Sequence, residues 1–301
     1  MLNYSETPLF EFRTEETQSR GLRILIKRED LNHPFISGNK WWKLKYNLEE
    51  TVRQGQKTIL TFGGAYSNHI YATAAAATEL GFKSIGVIRG EKTLPLNATL
   101  SFAKDSGMHL HYVSREAYRN KNEPEFIQQL QKLFGDFYLI PEGGTNELAV
   151  KGCVEFGEKL RKIEYDYLCL PVGTGGTIAG IISGLKGEKE VIGFSSLKGG
   201  SFLERDVSKL VADFSGMNFS NWRIEDRYHF GGYAKMTEEL KIFMQNIERN
   251  HTLTLDPVYT AKMFYGVLDL VAKNYFQRGS TILVLHTGGL QGRSGFNLDS
   301  L

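Results

Sequence analysis

The chain has 301 residues, a length that suggests about two domains. Its hydrophobic share of 41% and charged share of 23% are those of an ordinary globular protein and exclude a disordered or fibrous chain. The 36 Lys and Arg nearly balance the 34 Asp and Glu, for a formal net charge of +2. Because there is no basic excess, the composition gives no sign of a nucleic-acid or membrane-surface partner.

Cysteine usage and the N-terminal residues bear on the compartment. Cys153 and Cys169 lie in apolar patterns. They are too few for a disulfide framework and their spacing gives no metal site, so we expect two buried small hydrophobic residues. Residues 1–19 are polar and acidic, without the apolar core of a signal peptide. Since no apolar run approaches the ~20 residues of a membrane span, we expect a soluble, cytoplasmic protein.

Strand-like and helix-like segments alternate along the chain. The predicted strands are, in chain order, 24–27, 57–62, 84–89, 109–113, 137–141, 167–172, 191–195 and 281–285. Apolar residues at helical spacing predict helices within 41–52, 67–80, 153–163, 178–185, 236–247 and from Pro257 to 275. This alternation is typical of α/β proteins, in which helices cover parallel sheets on both sides.

Glycine pairs recur at one kind of position. Five of the six Gly-Gly pairs follow a strand-like run, at 63–64, 143–144, 175–176, 199–200 and 288–289. Glycine punctuates strand–helix turns in many proteins. In open parallel sheets, however, ligands bind beyond the carboxyl ends of the strands, where glycine lets the backbone approach them closely. Five pairs after five strands therefore favour a ligand cleft.

The loop 171–177, PVGTGGT, lies between a predicted strand and a predicted helix. It offers backbone N–H groups and two hydroxyls at a helix N-terminus, which suits a phosphate. No Lys follows as a P-loop requires, and the third Gly of a dinucleotide fingerprint falls at Ile178. A single small phosphate therefore fits better than a nucleotide, and a nicotinamide dehydrogenase is disfavoured.

Two further segments precede predicted helices. Lys40 ends the sequence SGNK at a helix start, where a cation is electrostatically unusual. An isolated Lys is most often a solvated surface residue. Beside a phosphate loop, however, the more specific hypothesis is that Lys40 forms a Schiff base with a ligand. In GGAYSNH, Ser67 or Asn68 is expected to cap the next helix, and the same helix start, with Ser67 and His69, suits a carboxylate ligand.

Six segments taken together resemble a known family. They are, in chain order, IKREDLNHPFISGNKWWKL, GGAYSNHIYATAAAATELG, IPEGGTN, PVGTGGTIAG, LDPVYTAKM and HTGGLQG. The set is similar to the pyridoxal-phosphate enzymes of the 1-aminocyclopropane-1-carboxylate deaminase and D-cysteine desulfhydrase family, over about residues 7–295. The resemblance implies the tryptophan-synthase-β architecture (fold type II), with two open, mostly parallel twisted sheets and helices on both faces. It also implies a homodimer, with residues 1–42 and 151–301 in a larger domain and residues 43–150 in a smaller inserted one.

The resemblance also implies roles for particular residues. Lys40 matches the lysine that carries pyridoxal phosphate, and Asn68 matches the partner of the cofactor's phenolic oxygen. Ser67, Asn68 and His69 match the loop that receives the substrate carboxylate, and Ser67 matches the family's nucleophile. Tyr233 and Tyr259 match tyrosines that face cofactor and substrate. The phosphate cup is matched by Gly173, Thr174, Gly175, Gly176 and Thr177.

Departures from the deaminase pattern bear on the substrate. The deaminases have Glu and Leu where this chain has Thr260 and Thr287, and they tend to have SNQ where it has SNH. All three differences resemble the desulfhydrases, in which Thr287 would be the hydroxyl partner of the pyridine nitrogen. A neutral hydroxyl makes the ring a weaker electron sink, which suits β-elimination. Tyr66 and the pair Trp41-Trp42 also depart from the family pattern and are expected to reshape the substrate pocket.

The sequence therefore predicts a pyridoxal-phosphate-dependent lyase or deaminase. Its reaction is expected to be a D-cysteine desulfhydrase-like β-elimination from a small amino acid, giving a keto acid and ammonia. Lys40, Tyr233 and Tyr259 all remain candidates for the base that removes the α-proton. The alternatives are a 1-aminocyclopropane-1-carboxylate deaminase, or a cofactor-binding protein with little catalysis whose pocket is blocked by Tyr66 and Trp41.

Overall fold

A computed structural model describes residues 2–296 and Leu298 of the chain. Its strands are β1 Leu9–Phe12, β2 Arg23–Lys27, β3 Thr58–Gly63, β4 Lys83–Arg89, β5 Met108–Val113, β6 Tyr138–Ile140, β7 Tyr167–Val172, β8 Glu190–Ser195, β9 Trp222–Glu225 and β10 Thr281–Leu285. Each of the predicted strands is present, with ends that differ from the prediction by at most one residue.

The strands form two sheets within the described residues. One has the order β1-β2-β10-β7-β8-β9, and the other has the order β5-β4-β3-β6. All neighbouring strands are parallel except β1, which pairs antiparallel with β2 at one edge. The edge strands β1 and β9 were not predicted, because neither has the continuous apolar run of a strand covered on both faces.

Helices occupy most of the connections. They are α1 Glu15–Ser19, α2 Asn39–Arg53, α3 Asn68–Leu80, α4 Ala98–Asp105, α5 Pro124–Phe134, α6 Glu147–Leu160, α7 Gly176–Leu185, α8 Phe202–Ser215, α9 Glu238–His251 and α10 Thr260–Ala272. The sequence analysis did not predict α1, α4, α5 and α8. Short 3₁₀ segments lie at Glu29–Leu31, Ala117–Asn120, Glu142–Gly144 and Leu290–Phe296.

One predicted helix start is wrong. Pro257 does not open α10, which begins three residues later at Thr260. The preceding Asp256 carboxylate accepts hydrogen bonds from the backbone N–H groups of Tyr259 (2.9 Å) and Thr260 (2.6 Å). These are N–H groups of the kind that a helix start leaves without a partner, so the Asp side chain sets where the helix begins.

Helices cover both faces of the larger sheet. Leu283 and Leu285 of β10 pack in a core with residues of α6 and α7, while Ile282 and Val284 pack in a second core with residues of α9 and α10. Successive side chains of a strand point to opposite faces, so each face has its own core. The predicted α/β class with two mostly parallel sheets is therefore confirmed.

The smaller sheet lies between β2 and β7 in the chain, as an insertion would. The predicted boundaries after residues 42 and 150 fall inside α2 and α6. One core also contains residues of both parts, such as Ile59 of β3 and Trp42 of α2. The division into residues 1–42 with 151–301 and residues 43–150 stays a prediction. None of the helices formed by the described residues has the length and apolarity needed to cross a bilayer.

Candidate active site

A cleft with about 580 Å³ of empty space lies at the carboxyl ends of strands from both sheets. Segments that follow β3, β7 and β10 reach it, as expected for a ligand site in a parallel sheet. Ten of the twelve predicted site residues line it, namely Lys40, Ser67, Asn68, His69, Gly173, Thr174, Gly175, Thr177, Tyr259 and Thr287. Gly176 lies directly behind this lining as the first residue of α7. Tyr233 lines a neighbouring cavity, with its ring centroid 6.1 Å from that of Tyr259.

Lys40 is the second residue of α2, and the glycine before that helix fixes its position. Gly38 has a φ of +69°, and a Cβ there would lie 1.9 Å from the carbonyl oxygen of Thr287. Any side chain would therefore push the start of α2 away from the end of β10. Burial lowers the pKa of Lys40 to about 8. Its amine is therefore far more often uncharged at neutral pH than that of an ordinary lysine, and an uncharged amine is the nucleophilic form.

The start of α7 has unsatisfied hydrogen-bond donors. Gly175 precedes the helix with a φ of +81°, and no side chain in the described part of the protein caps its first turn. The first N–H groups of a helix have no partner within the helix and favour an anion. Next to them, Thr177 Oγ1 accepts a 2.8 Å hydrogen bond from Asn39 Nδ2, and Lys40 Nζ donates to Asn39 Oδ1 at 3.2 Å. The predicted lysine and the predicted phosphate loop are thus connected through one asparagine.

Lys43 is a cleft residue that was not predicted from the sequence. Its side chain is 2% exposed, and Nζ donates a 2.8 Å hydrogen bond to Thr145 Oγ1. A Cβ on Gly176 would lie 3.3 Å from this Nζ, so the ammonium lies against the phosphate loop. Burial, with a further contribution from the Lys40 charge, lowers the pKa of Lys43 to about 7. Its position three residues after Lys40 on one helix was the signal that could have revealed it.

The start of α3 is capped by a side chain. Ser67 Oγ accepts a 3.3 Å hydrogen bond from the backbone N–H of Ile70, as the capping interpretation predicted. Asn68 Oδ1 accepts a 2.6 Å hydrogen bond from Gln291 Nε2, a partner that the sequence analysis did not identify. The Asn68 amide N–H groups form no hydrogen bond with another described residue, so they remain available as donors.

His69 is buried, and its hydrogen bonds define its tautomer. Thr61 Oγ1 donates to the Ile140 carbonyl at 2.8 Å and lies 2.8 Å from His69 Nε2. Since a hydroxyl has one proton, His69 Nε2–H must donate to Thr61 Oγ1, which leaves Nδ1 as an acceptor. Among the described residues, His69 Nδ1 has no hydrogen-bond partner. Burial holds the pKa of His69 well below its usual value, so the ring is neutral. The side chain therefore offers an acceptor to a ligand, while only its backbone N–H suits a carboxylate.

Asp256 and Thr260 position Tyr259. Besides accepting the two backbone bonds described above, Asp256 Oδ1 accepts a 3.1 Å hydrogen bond from Thr260 Oγ1. Thr260 is fully buried and does not line the cleft, unlike Thr287. Burial raises the pKa of Tyr259 well above its usual value and that of Tyr233 to about 12. Both phenols are therefore protonated at neutral pH and can donate hydrogen bonds.

Comparison with known proteins identifies the class. The model of the pyridoxal-phosphate-dependent enzyme family matches residues 1–288, so the chain belongs to that family of enzymes. A Pyrococcus furiosus protein provisionally named as a 1-aminocyclopropane-1-carboxylate deaminase is 33% identical, over 95% of this chain and 90% of its own length.

Two further comparisons show which members of the family this chain resembles. The Arabidopsis thaliana bifunctional D-cysteine desulfhydrase/1-aminocyclopropane-1-carboxylate deaminase is 31% identical, over 90% of this chain and 73% of its own length. The crystal structure of a homologue of 1-aminocyclopropane-1-carboxylate deaminase superposes with a TM-score of 0.86 at 29% identity, covering 100% of this chain and 95% of the other. The family resemblance and the fold type II architecture inferred from the sequence are both confirmed.

The residues of the cleft fit pyridoxal phosphate, the cofactor of this family. The Lys40 amine has a lowered pKa and is linked through Asn39 to Thr177 at the uncapped start of α7. A Cβ on Gly176 would lie 2.9 Å from Thr145 Cγ2. When bound, the cofactor supplies an electron sink for the carbanion formed at the substrate's α-carbon.

Proposed function

We propose that this enzyme catalyses β-elimination from a small amino acid, as a D-cysteine desulfhydrase does, and releases a keto acid and ammonia. The observation that carries the proposal is the placement of Lys40 in one cleft with two helix N-termini, those of α7 and α3. Each helix start attracts an anion, so the cleft offers one site for a phosphate and another for a carboxylate around one reactive amine.

In this proposal, the N–H groups of Gly173, Thr174, Gly175, Gly176 and Thr177 bind the cofactor phosphate, and Lys43 contributes charge beside them. Asn68 donates to the cofactor's phenolic oxygen, and Thr287 binds the pyridine nitrogen. The substrate carboxylate binds at the start of α3, through the Ser67 hydroxyl and the backbone N–H groups of Asn68 and His69. Support comes from the uncapped start of α7 and from the amide donors that Gln291 leaves free on Asn68.

Lys40 is the proposed base among the three candidates left open by the sequence. A base must be unprotonated, and the pKa of Lys40, at about 8, is far closer to neutral than that of either tyrosine. The raised phenol pKa values suit Tyr233 and Tyr259 for donating a hydrogen bond or a proton. Tyr259 lines the cleft and Tyr233 lines the neighbouring cavity, and both are proposed to assist departure of the β-substituent.

Elimination is favoured over cyclopropane opening by the residue at position 287. The deaminase pattern has Glu at position 260 and Leu at position 287, whereas this chain has a neutral hydroxyl at both and Thr287 lines the cleft. A hydroxyl cannot hold the pyridine nitrogen protonated as a carboxylate would. In β-elimination, the leaving group takes the electron pair. Ring opening has no leaving group and demands more of the cofactor. The names of the relatives make 1-aminocyclopropane-1-carboxylate deamination the competing activity.

A keto-acid release assay tests this proposal. We expect the purified holoenzyme to release pyruvate from D-cysteine or β-chloro-D-alanine faster than 2-oxobutyrate from 1-aminocyclopropane-1-carboxylate. Lys40→Ala is expected to abolish all release, and borohydride reduction of the native enzyme should attach the cofactor to the peptide containing Lys40. Faster turnover of the cyclopropane substrate, or attachment at Lys43 instead, would contradict the proposal.

Quaternary structure and compartment complete the proposal. We propose a cytoplasmic homodimer, with the insertion of residues 43–150 as a separate smaller domain. Support comes from the family resemblance and from the segregation of the smaller sheet into one stretch of chain between β2 and β7. Light scattering during gel filtration measures the mass, and a monomer at micromolar concentration would contradict the dimer.

A further inference from the structure

A second cavity, whose empty space of about 1390 Å³ includes its opening to solvent, lies beside the cleft. Its lining comes mainly from segments that follow the four strands of the smaller sheet: Tyr66 after β3, Arg89 at the end of β4, Arg115 after β5 and Glu142 after β6. Parallel strands bring their carboxyl ends to one edge of a sheet, which is where such sheets bind ligands. The strand topology therefore places this cavity at the carboxyl edge of a parallel sheet, as it does the cleft.

The two cavities are lined by neighbouring residues. Tyr66 lines the second cavity, and the next residue, Ser67, lines the cleft. On the other wall Tyr233 lines the second cavity and its ring packs edge-on, 6.1 Å away, against that of Tyr259 in the cleft. Arg89 Nη2 is 3.6 Å from where a Cβ on Gly64 would lie, so its guanidinium borders the loop that leads to Ser67. A ligand anchored at Ser67 can thus extend into the second cavity.

The second cavity is strongly cationic. Its cations are Arg89, Arg115, Arg119, Lys121 and Lys235, and its only carboxylate among the described lining residues is Glu142. Glu142 is already engaged, since it accepts a 2.9 Å hydrogen bond from Tyr118 Oη and pairs with Lys121 Nζ at 3.3 Å. By contrast, Arg89, Arg115 and Arg119 form no side-chain hydrogen bond or ion pair with any residue that the structure describes.

Uncompensated arginines in a concave site have a physical consequence. A cavity lined by charges of one sign focuses the field and concentrates ligands of the opposite sign. The planar guanidinium binds carboxylate, phosphate and similar oxyanions through paired N–H donors. Neither cysteine nor 1-aminocyclopropane-1-carboxylate carries a second anion that could use these donors.

We propose that the preferred substrate is a small amino acid whose side chain bears an oxyanion. Its α-carboxylate binds at the start of α3, and its side-chain anion binds Arg89 and Arg119 in the second cavity. This inference rests on the proposed β-elimination at the cleft and names the substrate class for it. Where the side chain is a phosphate ester, the base takes the α-proton and the C–H pair forms the new Cα=Cβ bond. The Cβ–O bond breaks, phosphate departs with its electron pair, and water hydrolyses the enamine to pyruvate and ammonia.

Binding and turnover are measured separately on the holoenzyme. For binding, each enantiomer of 2-amino-3-phosphonopropionate, which has no eliminable oxygen, is titrated calorimetrically against the neutral 2-aminobutyrate. We expect the phosphonate to bind at least about tenfold more tightly, and the double variant Arg89→Gln/Arg119→Gln to remove that preference. Arg249→Gln, an exposed arginine of α9 outside both cavities, is the matched control and should keep it. For turnover, pyruvate release from O-phosphoserine is compared with release from β-chloroalanine.

The outcomes separate the two proposals. The proposed anionic substrate class is overturned if the phosphonate and the neutral amino acid bind equally. It is also overturned if the double variant and the Arg249 control lose the same amount of binding. Pyruvate from β-chloroalanine, with no arginine-dependent preference for O-phosphoserine, overturns it as well and leaves the elimination intact. Arginine-dependent phosphonate binding without keto acid from any substrate supports the second cavity as an anion site and overturns the elimination.

Discussion

The starts of α7 and α3 face the same lysine but are built differently. Each follows the carboxyl end of a parallel strand, so each presents N–H groups to the cleft. At α7 the residue before the helix is Gly175, and none of the described side chains caps the first turn. At α3 Ser67 Oγ already accepts from the Ile70 N–H, and Gln291 holds the Asn68 side chain.

This difference suits the two anions that the sites are proposed to bind. A helix start without its own cap is satisfied only when a ligand is present, so it favours a group that stays, such as the cofactor phosphate. A helix start with its own serine cap stays satisfied when the ligand leaves, so it suits a substrate that exchanges in every turnover. Variants at the two starts should therefore separate cofactor binding from substrate binding.

The largest effect is expected at the glycine start. Gly175→Val places a β-branched residue at a φ of +81° and brings its Cβ to 2.9 Å from Val207 Cγ2, so the loop must move. We expect at least about a 100-fold loss of cofactor affinity, measured by absorbance titration of the apoprotein. The matched control is Gly216→Val at the end of α8, where φ is +66° and nothing lies within 4 Å of the added Cβ. Equal cofactor loss in both variants would show that backbone strain alone is responsible.

The next effect is expected at the serine start. Ser67→Ala should leave cofactor affinity within about twofold and lower kcat/KM by about tenfold or more, since it removes one proposed hydrogen bond to the substrate carboxylate. Loss of the cap itself should lower the free energy of unfolding by about 1 kcal/mol. Thr237→Ala removes the corresponding cap of α9, where Thr237 Oγ1 accepts from the Leu240 N–H at 3.3 Å. That control should reproduce the stability loss with unchanged kcat/KM, and a matching kinetic defect would contradict the role of Ser67.

The last effect concerns the lysine between the two starts. Attachment of the cofactor requires the uncharged amine, and burial brings the pKa of Lys40 down from 10.5 to about 8. The rate of attachment to the apoprotein should therefore rise about tenfold per pH unit below pH 8 and level off above it. Stopped-flow absorbance between pH 6 and 10 measures this, with Nα-acetyl-lysine as the control that keeps rising. A rate that continues to rise to pH 10 would show that Lys40 is solvated like a surface lysine.

The positions of most strands along the chain and the position of the cleft were predictable because both follow from local patterns. Buried parallel strands are short apolar runs, and the glycines after them mark the edge where ligands bind. The edge strands β1 and β9 lack those patterns and were missed. The helices α5 and α8 were missed as well, although both have apolar residues at helical spacing. The role of Thr260 was also beyond local reasoning. Its position after Tyr259, where the deaminases have Glu, suggests a bearing on the substrate, but its hydroxyl is bound to Asp256 and does not line the cleft.

By itself the sequence determined the family, the α/β class and most of the residues that line the cleft, because these depend on residue types at fixed spacings along one segment. Only the tertiary structure decided which donors remain free. Gln291 leaves the amide of Asn68 to a ligand, Thr61 fixes the tautomer of His69, and Lys43 is desolvated against the phosphate loop. The same holds for Arg89, Arg115 and Arg119 of the second cavity, which come from the end of β4 and the segment after β5 and form no hydrogen bond or ion pair with a described side chain. Hydrogen bonds and burial depend on contacts between distant segments, and no spacing along the chain specifies them.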